Sequence, residues 1–266
     1  MKLRNLSIIQ YQNVSPKPHL NQLWLSLHAF EKQMDHISKN GFRVLSMDDA
    51  VLFMERTKRI RKLRPISLTF DNGYLDFYDH ALPLLSRHDF PATILVCPPK
   101  LGTSITVGGE RVEYLTWPIL KELTKNGVII GAYEDQRRNI NDIPGETVGK
   151  HITEYKKVLE DGLGVEIRYF GVKEGVPNAK IRHLLISEGY RAFLTECPTN
   201  TKPDLYAIGR IQVDDDDFNI FLTKISRTYL FFKDKKSWKY IREYSLDKAA
   251  HRLSEAYDRM RGIKSH

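Results

Sequence analysis

The residues best suited to catalysis or ligand binding are Asp71 and Asn72, which directly follow a short apolar run at 66–70. That run is typical of a buried strand, and after Gly73 the apolar side chains of 74–86 recur at helical spacing. Polar groups between a buried strand and a helix lie on the carboxyl rim of a sheet or barrel, where catalytic groups concentrate. Asp71 is therefore a candidate general base; the alternative is that it caps the following helix, a position that Asp favours.

Further carboxylates are predicted on the same rim. Glu134 and Asp135 follow a strand predicted over 128–133, and Glu174 follows a later one. Together with the first pair, these oxygens suit an all-oxygen Mg²⁺ or Ca²⁺ site or a carboxylate pair for glycosidic chemistry. The alternative is that they are rim charges paired with neighbouring bases. Those bases are Arg137, Arg138 and Lys173.

Two aromatic residues near this rim have two interpretations each. Tyr133 and Trp117 could stack on a sugar ring, or they could pack in the core as aromatic residues beside strands usually do. The histidines, including His151, have no spacing typical of metal ligands, and no His lies between His88 and His151.

The stretch 69–74, Thr-Phe-Asp-Asn-Gly-Tyr, resembles the first motif of the polysaccharide deacetylases, which reads Thr-Phe-Asp-Asp-Gly-Tyr. These proteins form carbohydrate esterase family 4, the nodulation-factor-deacetylase homology domain. Residues 10–15 resemble the family's opening strand, 113–131 the approach to its second motif, and 168–195 its third motif. The resemblance covers roughly residues 6–225 in family order. It implies an α/β fold, an irregular seven- or eight-stranded (β/α) barrel.

In that family the first Asp of Asp-Asp is the general base, and the second binds a divalent metal, usually zinc, together with two His. The metal polarises the acetyl carbonyl and activates a water. Carried over, the base is Asp71, the metal-binding Asp falls on Asn72, and the two His fall on Tyr133 and Arg137. A neutral phenol and a guanidinium are not zinc ligands. The resemblance therefore implies a degenerate metal site, with no metal cofactor and Asp71 as a vestigial base.

The third motif and the C-terminal strands also depart from the family. The usual Phe-x-Tyr-Pro-x-Gly is Phe-Gly-Val-Lys-Glu-Gly at 170–175, which places Glu174 in the motif, and no Leu-x-His for the general acid is visible. Arg210 matches an Arg that many relatives place after the penultimate strand. It either binds substrate or anchors the acidic run 214–217. The substrate-binding set expected from these matches is Asn72, Tyr133, Arg137, Glu174 and Arg210.

The remaining sequence predicts alternating strands and helices with a glycine-containing hairpin over 102–112 and a polar loop over 136–148. Residues 1–230 are predicted to form the barrel and 231–266 a basic helical extension packed on it. An apolar stripe at helical spacing over 246–260 predicts that the extension is packed, with docking on a partner or membrane as the alternative.

Charge and composition constrain location and partners. The net charge is +8, and the basic residues concentrate in 55–64 and 224–266. These segments could contact an anionic membrane surface or a pyrophosphate-linked sugar, or they are solvated faces; no nucleic-acid module accompanies them. Cys97 and Cys197 suggest buried thiols. The N-terminal residues lack a signal-peptide pattern, which predicts a cytoplasmic location.

The sequence thus predicts a glycan-metabolism protein whose partner is a glycan or carrier-linked sugar. The first hypothesis is a pseudoenzyme that binds a glycan or organises its biosynthetic partners without metal-dependent deacetylation. The alternatives are a carbohydrate hydrolase or deacetylase with a non-standard site built on Asp71, and a conventional deacetylase with an unrecognised metal site. Whether the protein is an enzyme is left open.

Overall fold

A computed structural model describes residues 6–16, 24–55, 64–196, 204–213 and 218–226. The chain forms two units, Met1–Asp214 and Asp215–His266, and the sheet lies in the first. The described part of the second is the helix Phe218–Ile225 with Ser226. Several predictions fall on residues outside the described ranges. They concern the extension from 231 with its boundary at 230/231, Cys197, the acidic run 214–217 and most of the basic segments.

The strands are, in chain order, β1 (Ser7–Tyr11), β2 (Asn13–Ser15), β3 (Trp24–Ser26), β4 (Phe42–Val44), β5 (Arg64–Phe70), β6 (Ala92–Val96), β7 (Ser104–Val107), β8 (Glu110–Glu113), β9 (Ile129–Asn139), β10 (Tyr169–Glu174), β11 (Ala192–Thr195), β12 (Ile208–Gly209) and β13 (Ile211–Gln212). The α-helices are α1 (Leu27–Lys39), α2 (Met47–Glu55), α3 (Leu82–Arg87), α4 (Trp117–Lys125), α5 (Gly145–Leu163), α6 (Ala179–Ser187) and α7 (Phe218–Ile225). A π-helical turn, Phe77–Ala81, precedes α3.

The main sheet is parallel and nearly closed into a barrel. Its strand order is β12-β11-β10-β9-β6-β5-β1-β13, with β4 also paired to β5. The strands at the two ends, β12 and β13, are consecutive in the chain and separated only by Arg210. The sheet therefore closes around this residue. The expected (β/α) barrel is confirmed, and the strands predicted at 66–70 and 128–133 lie parallel in one sheet through β6.

Burial explains why these segments form central strands. All five residues of β6 are buried, as are six of the seven in β5, and strands covered on both faces need continuous apolar runs. The small hairpin β7–β8, predicted from Gly108-Gly109, forms an antiparallel pair, and both glycines have positive φ. Positive φ at both turn positions matches the twist of a two-residue hairpin.

Two local predictions were wrong. The polar loop expected over 136–148 is instead a continuation of β9 to Asn139, followed by a short 3₁₀ turn and α5 from Gly145. β9 continues because it stays paired with β10 after an irregularity in register between Val172 and Glu174. The helix expected from residue 74 begins only at Phe77, because Tyr74 forms a bridge with Tyr114 of the hairpin segment.

No helix in the described part of the chain is long and apolar enough to cross a membrane.

Gly73 is predicted to be the least replaceable residue of the turn after β5. It has φ +71°, and an added Cβ would lie 2.8 Å from Val96 Cγ1. We expect Gly73→Ala to lower the free energy of unfolding by about 2–5 kcal/mol, through left-handed strain and overpacking. The matched control is Gly102→Ala, since Gly102 has φ +73° and no atom within 4 Å of an added Cβ. It should cost about 1 kcal/mol. Urea denaturation measures both variants. Equal decreases in the free energy of unfolding for Gly73→Ala and Gly102→Ala would contradict the role assigned to Val96.

Candidate active site

The centre of the candidate site is a buried ion pair between Asp71 and Arg210. Arg210 Nη1 lies 2.5 Å from Asp71 Oδ1, and Nη2 lies 2.9 Å from Oδ2. Both side chains are fully buried. Asp71 follows β5 directly, and Arg210 lies between β12 and β13, so the pair joins the middle of the sheet to its closure. The alternative that Asp71 caps the next helix is wrong, because the helical turn begins at Phe77 and its N-cap residue is Asp76.

Gln10 connects this ion pair to a second carboxylate. Its Nε2 donates to Asp71 Oδ2 at 2.6 Å and to Glu196 Oε1 at 2.7 Å. Burial raises the pKa of Glu196, and the neighbouring Asp71 carboxylate raises it further. Asp71 and Glu196 thus share one amide donor, but Asp71 is salt-bridged whereas Glu196 has a raised pKa. Such unequal pairs of carboxyl groups perform acid–base chemistry in enzymes.

Tyr133 adds a phenol to the same cluster. Its side chain is 2% exposed. Burial is the larger cause, and the negative charge of Asp71 the next, that raises the pKa of Tyr133 well above its ordinary value. The phenol is therefore neutral. The prediction that Asp71 and Tyr133 lie together is confirmed, and both side chains are buried.

The other predicted carboxylates do not join Asp71. Glu134 is 2% exposed and contacts His151 Nδ1, and Asp135 pairs with Lys100. The expected partners, Arg138 and Lys173, are thus replaced by His151 and Lys100. Glu174 is exposed on β10, so the predicted all-oxygen site is not assembled from these residues.

Alternation along β9 separates these groups. Side chains of successive strand residues point to opposite faces, so Tyr133 faces Asp71 while Glu134 faces α5, which carries His151. The His151 ring also stacks on Tyr155, with 4.8 Å between centroids. Cys97, which is buried as predicted, lies 3.8 Å from the Tyr155 hydroxyl, and burial raises the pKa of the thiol.

Of the other predicted substrate-binding residues, Arg210 and Asn72 have defined positions in or beside the cluster. Arg210 is 1% exposed and contacts Asp71, so its guanidinium is engaged within the protein. Asn72 is half-buried, with φ 70°, in the turn after Asp71. Arg137 lies in β9, and its side chain is outside the described part of the structure. Substrate contact by these residues stays a prediction.

The residues at the family's metal positions do not fit zinc. Tyr133 offers a neutral buried phenol, and Asn72 offers only an amide oxygen, whereas zinc sites use thiolates, imidazoles and carboxylates. The single carboxylate at the centre is already compensated by Arg210. Over the described ranges, no group of three or more His, Cys, Asp or Glu residues is arranged to hold a metal ion.

Sequence reasoning missed Gln10, Glu196 and His151. Gln10 stands in the first strand and contacts a residue 186 positions away, and such a contact leaves no periodic pattern. The one available indication was position, since Gln10 and Glu196 lie at or just after the carboxyl ends of parallel strands.

Comparison with known proteins identifies the class of this barrel. The sequence profile of the polysaccharide deacetylase family matches residues 58–193. A relative from Bacillus subtilis (strain 168), YxkH, is itself only provisionally named a polysaccharide deacetylase. It is 23% identical over 214 residues, or 80% of this chain and 72% of YxkH. The chain therefore belongs to the polysaccharide deacetylase family.

Solved structures share the fold. IcaB from Ammonifex degensii has a TM-score of 0.71 at 21% identity, covering 83% of this chain and 96% of IcaB. The Streptococcus pyogenes deacetylase PplD, solved in complex with acetate, has a TM-score of 0.68 at 17% identity, covering 83% of this chain and 98% of PplD. At these identities the likeness establishes the fold alone.

Breaking the central ion pair is predicted to be costly. We expect Arg210→Met to lower the free energy of unfolding by about 3–5 kcal/mol, because it leaves the Asp71 charge buried and unpaired. The double variant Asp71→Asn/Arg210→Met should recover part of this loss. The control is Arg87→Met, which breaks the exposed 2.9 Å pair with Glu31 and should cost less than about 1 kcal/mol. Similar losses at both sites in guanidinium unfolding would contradict this account.

The coupling between the two carboxyl groups gives a second prediction. Asp71→Asn should lower the pKa of Glu196 for two reasons. The Asp71 charge, which helps to raise this pKa, is removed. The Arg210 guanidinium is then no longer compensated by Asp71, so it stabilises the ionised form of Glu196 more strongly. Carbon-detected NMR titration of the glutamate carboxyl groups measures this. The control is Asp161→Asn, an exposed change on α5. A Glu196 titration that is identical in Asp71→Asn would show that the groups are not coupled.

Proposed function

We propose that this member of the polysaccharide deacetylase family binds a glycan or carrier-linked sugar near Asp71 and does not deacetylate it by the family's metal-dependent mechanism. The observation that carries this proposal is the commitment of Asp71 to Arg210 in a fully buried, two-point ion pair. A base that takes a proton from water needs a free oxygen within hydrogen-bond reach of it. Here both oxygens of Asp71 already accept hydrogen bonds from Arg210 and Gln10, and the carboxylate is fully buried from water.

The substitutions at the metal positions support the same proposal. Activating water near neutral pH needs a metal with normally three strong ligands and one open position. Asn72 and the neutral Tyr133 are weak or unsuitable ligands, and Arg137 is a cation. The proposal rests on the whole set of replacements.

Unsatisfied groups in the cluster support binding of a polar ligand. Gln10 Oε1 is an acceptor and Arg210 Nε a donor, and both are buried without a hydrogen-bond partner in the part of the chain that is described. A group that both donates and accepts, such as a sugar hydroxyl, would satisfy both atoms if the rim opened to admit it. Such groups are abundant on the polysaccharides for which the family is named.

The alternative is metal-independent catalysis on an acetylated sugar by Asp71 and Glu196. It is favoured by the raised pKa of Glu196 beside the ion-paired Asp71, because unequal carboxyl groups suit an acid and a base. A cytoplasmic location, membrane contact through 55–64 and 224–266, and a scaffolding role in glycan biosynthesis stay predictions.

Metal content and acetate release decide between these functions. We expect less than stoichiometric metal by elemental analysis, and no acetate release from N-acetylated chito-oligosaccharides with added Zn²⁺ or Co²⁺. Stoichiometric metal with turnover that disappears in Asp71→Asn would overturn the proposal. Turnover without metal that disappears in both Asp71→Asn and Glu196→Gln, but not in Asp161→Asn, would establish the alternative.

A further inference from the structure

A pocket that shares no lining residue with the Asp71 cluster lies between β2, β3, the π-helical turn and the β7–β8 hairpin. Its volume is about 310 Å³. Its walls combine apolar side chains with several acidic groups. The apolar residues are Pro16, Trp24, Leu75 and Val112.

Two acceptor atoms of this pocket have no donor. Asn13 is 3% exposed, and its Oδ1 has no hydrogen-bond partner within the described ranges. Asp76 accepts a hydrogen bond from the backbone N–H of Val14 through Oδ2, but its Oδ1 is buried and equally unpartnered there. Both side chains line the same pocket, and the Val14 contact joins Asp76 to the residue next to Asn13. Buried acceptors without donors are rare, because each costs free energy.

The charges around Asp76 attract a cation. Asp79 and His80 face the pocket from the same turn, and Glu110, Arg111 and Glu113 from the hairpin. Arg111 lies 3.1 Å from Glu113, so that pair is mutually compensated. The described pocket residues of β2 and β3 carry no charge. Burial raises the pKa of Asp76 to about 8, and the neighbouring Asp79 raises it too. This is the behaviour of a buried carboxyl group that lacks a cationic partner.

We propose that this pocket binds the ammonium group of an amino sugar, with Asp76 and Asn13 as acceptors and Trp24 beside the sugar ring. An ammonium group has three donors and no acceptor, which matches two unpartnered oxygens in an acidic pocket. A metal ion is the other cation that such oxygens attract. It is disfavoured because the described residues form no metal-holding group of three or more His, Cys, Asp or Glu side chains.

The apolar wall selects a sugar over a bare amine. Trp24 is 8% exposed and lines the pocket together with Leu75, so the bound molecule meets an aromatic surface beside the acceptors. Choosing an amino sugar among amines rests on the proposed glycan function, whereas the ammonium site itself does not. Binding in this pocket does not depend on the chemistry at Asp71. A negative result in the metal and acetate assay therefore leaves the binding test below unaffected, and the reverse also holds.

Binding should release a proton. An ammonium group stabilises the ionised form of Asp76, so at pH 5.5, where an amino sugar is already protonated and the pH is below the pKa of Asp76 without ligand, about one proton leaves per ligand bound. The apparent affinity for a fixed positive charge should rise as the pH approaches about 8. In the absence of ligand, stability should fall between about pH 4 and pH 8 relative to Asp76→Asn, since the unfolded chain loses the proton first.

The test is isothermal titration calorimetry of the full chain at pH 5.5, where the amine probes are already protonated, in two buffers of different ionisation enthalpy. The probes are a fully deacetylated chito-oligosaccharide, its N-acetylated counterpart and spermidine. We expect the deacetylated oligosaccharide to bind at least tenfold more tightly than either of the others, with proton release. Asp76→Asn, which can still accept from Val14, should weaken binding at least tenfold and abolish proton release.

A second pocket variant and an exposed control complete the test. Asp79→Asn changes an exposed pocket carboxylate and should weaken binding severalfold even if Asp76→Asn does not fold. The exposed control Asp161→Asn should change nothing. Equal binding of the two oligosaccharides, or unchanged affinity in both pocket variants, would overturn the ammonium site. Binding of spermidine as tight as that of the deacetylated sugar would overturn the assignment to an amino sugar.

Discussion

The buried ion pair between Asp71 and Arg210 is the constraint around which the barrel is organised. Two charges removed from water are costly unless each is paired and hydrogen-bonded, so both must be held in a fixed geometry. Arg210 lies where the sheet closes and bonds at once to Asp71, after β5, and to the Val172 carbonyl oxygen of β10, 3.2 Å away. The pair therefore connects three parts of the sheet, and it holds the Asp71 carboxylate in the buried interior.

The chemistry available to the site follows from this arrangement. Asp71 has its charge compensated by a guanidinium, while Glu196, bridged to it by Gln10, has a raised pKa. Nothing in this cluster needs a metal for charge balance. Family membership supplies the barrel and the link to polysaccharides, whereas the residues at the metal positions carry the proposal that this chain does not use the family's metal-dependent mechanism. Fold and function are thus separate conclusions, drawn from different residues.

The turn after β5 and the strand β9 decide which groups meet. The left-handed turn at Asn72 and Gly73 leads the chain to the hairpin, where the Leu75 N–H donates to the Glu113 carbonyl oxygen, and Asp76 then accepts from Val14. Along β9, alternation sends Tyr133 toward Asp71 and Glu134 toward His151. Adjacent residues of one motif thereby belong to different clusters, and the acidic pocket forms apart from the ion pair.

The sequence by itself determined the barrel, the order of its strands and helices, and the prominence of Asp71, because these depend on local apolar patterns and short motifs. It also correctly placed Asp71 and Tyr133 together, since parallel strands bring their carboxyl ends to one edge. It could not assign Arg210 to Asp71, 139 residues away, or identify Gln10, Glu196 and the unpartnered Asn13 as site residues. Only the tertiary structure decided those contacts, because barrel closure and strand register set which distant side chains share a buried space. The pairing of buried charges is a property of that space and not of sequence spacing.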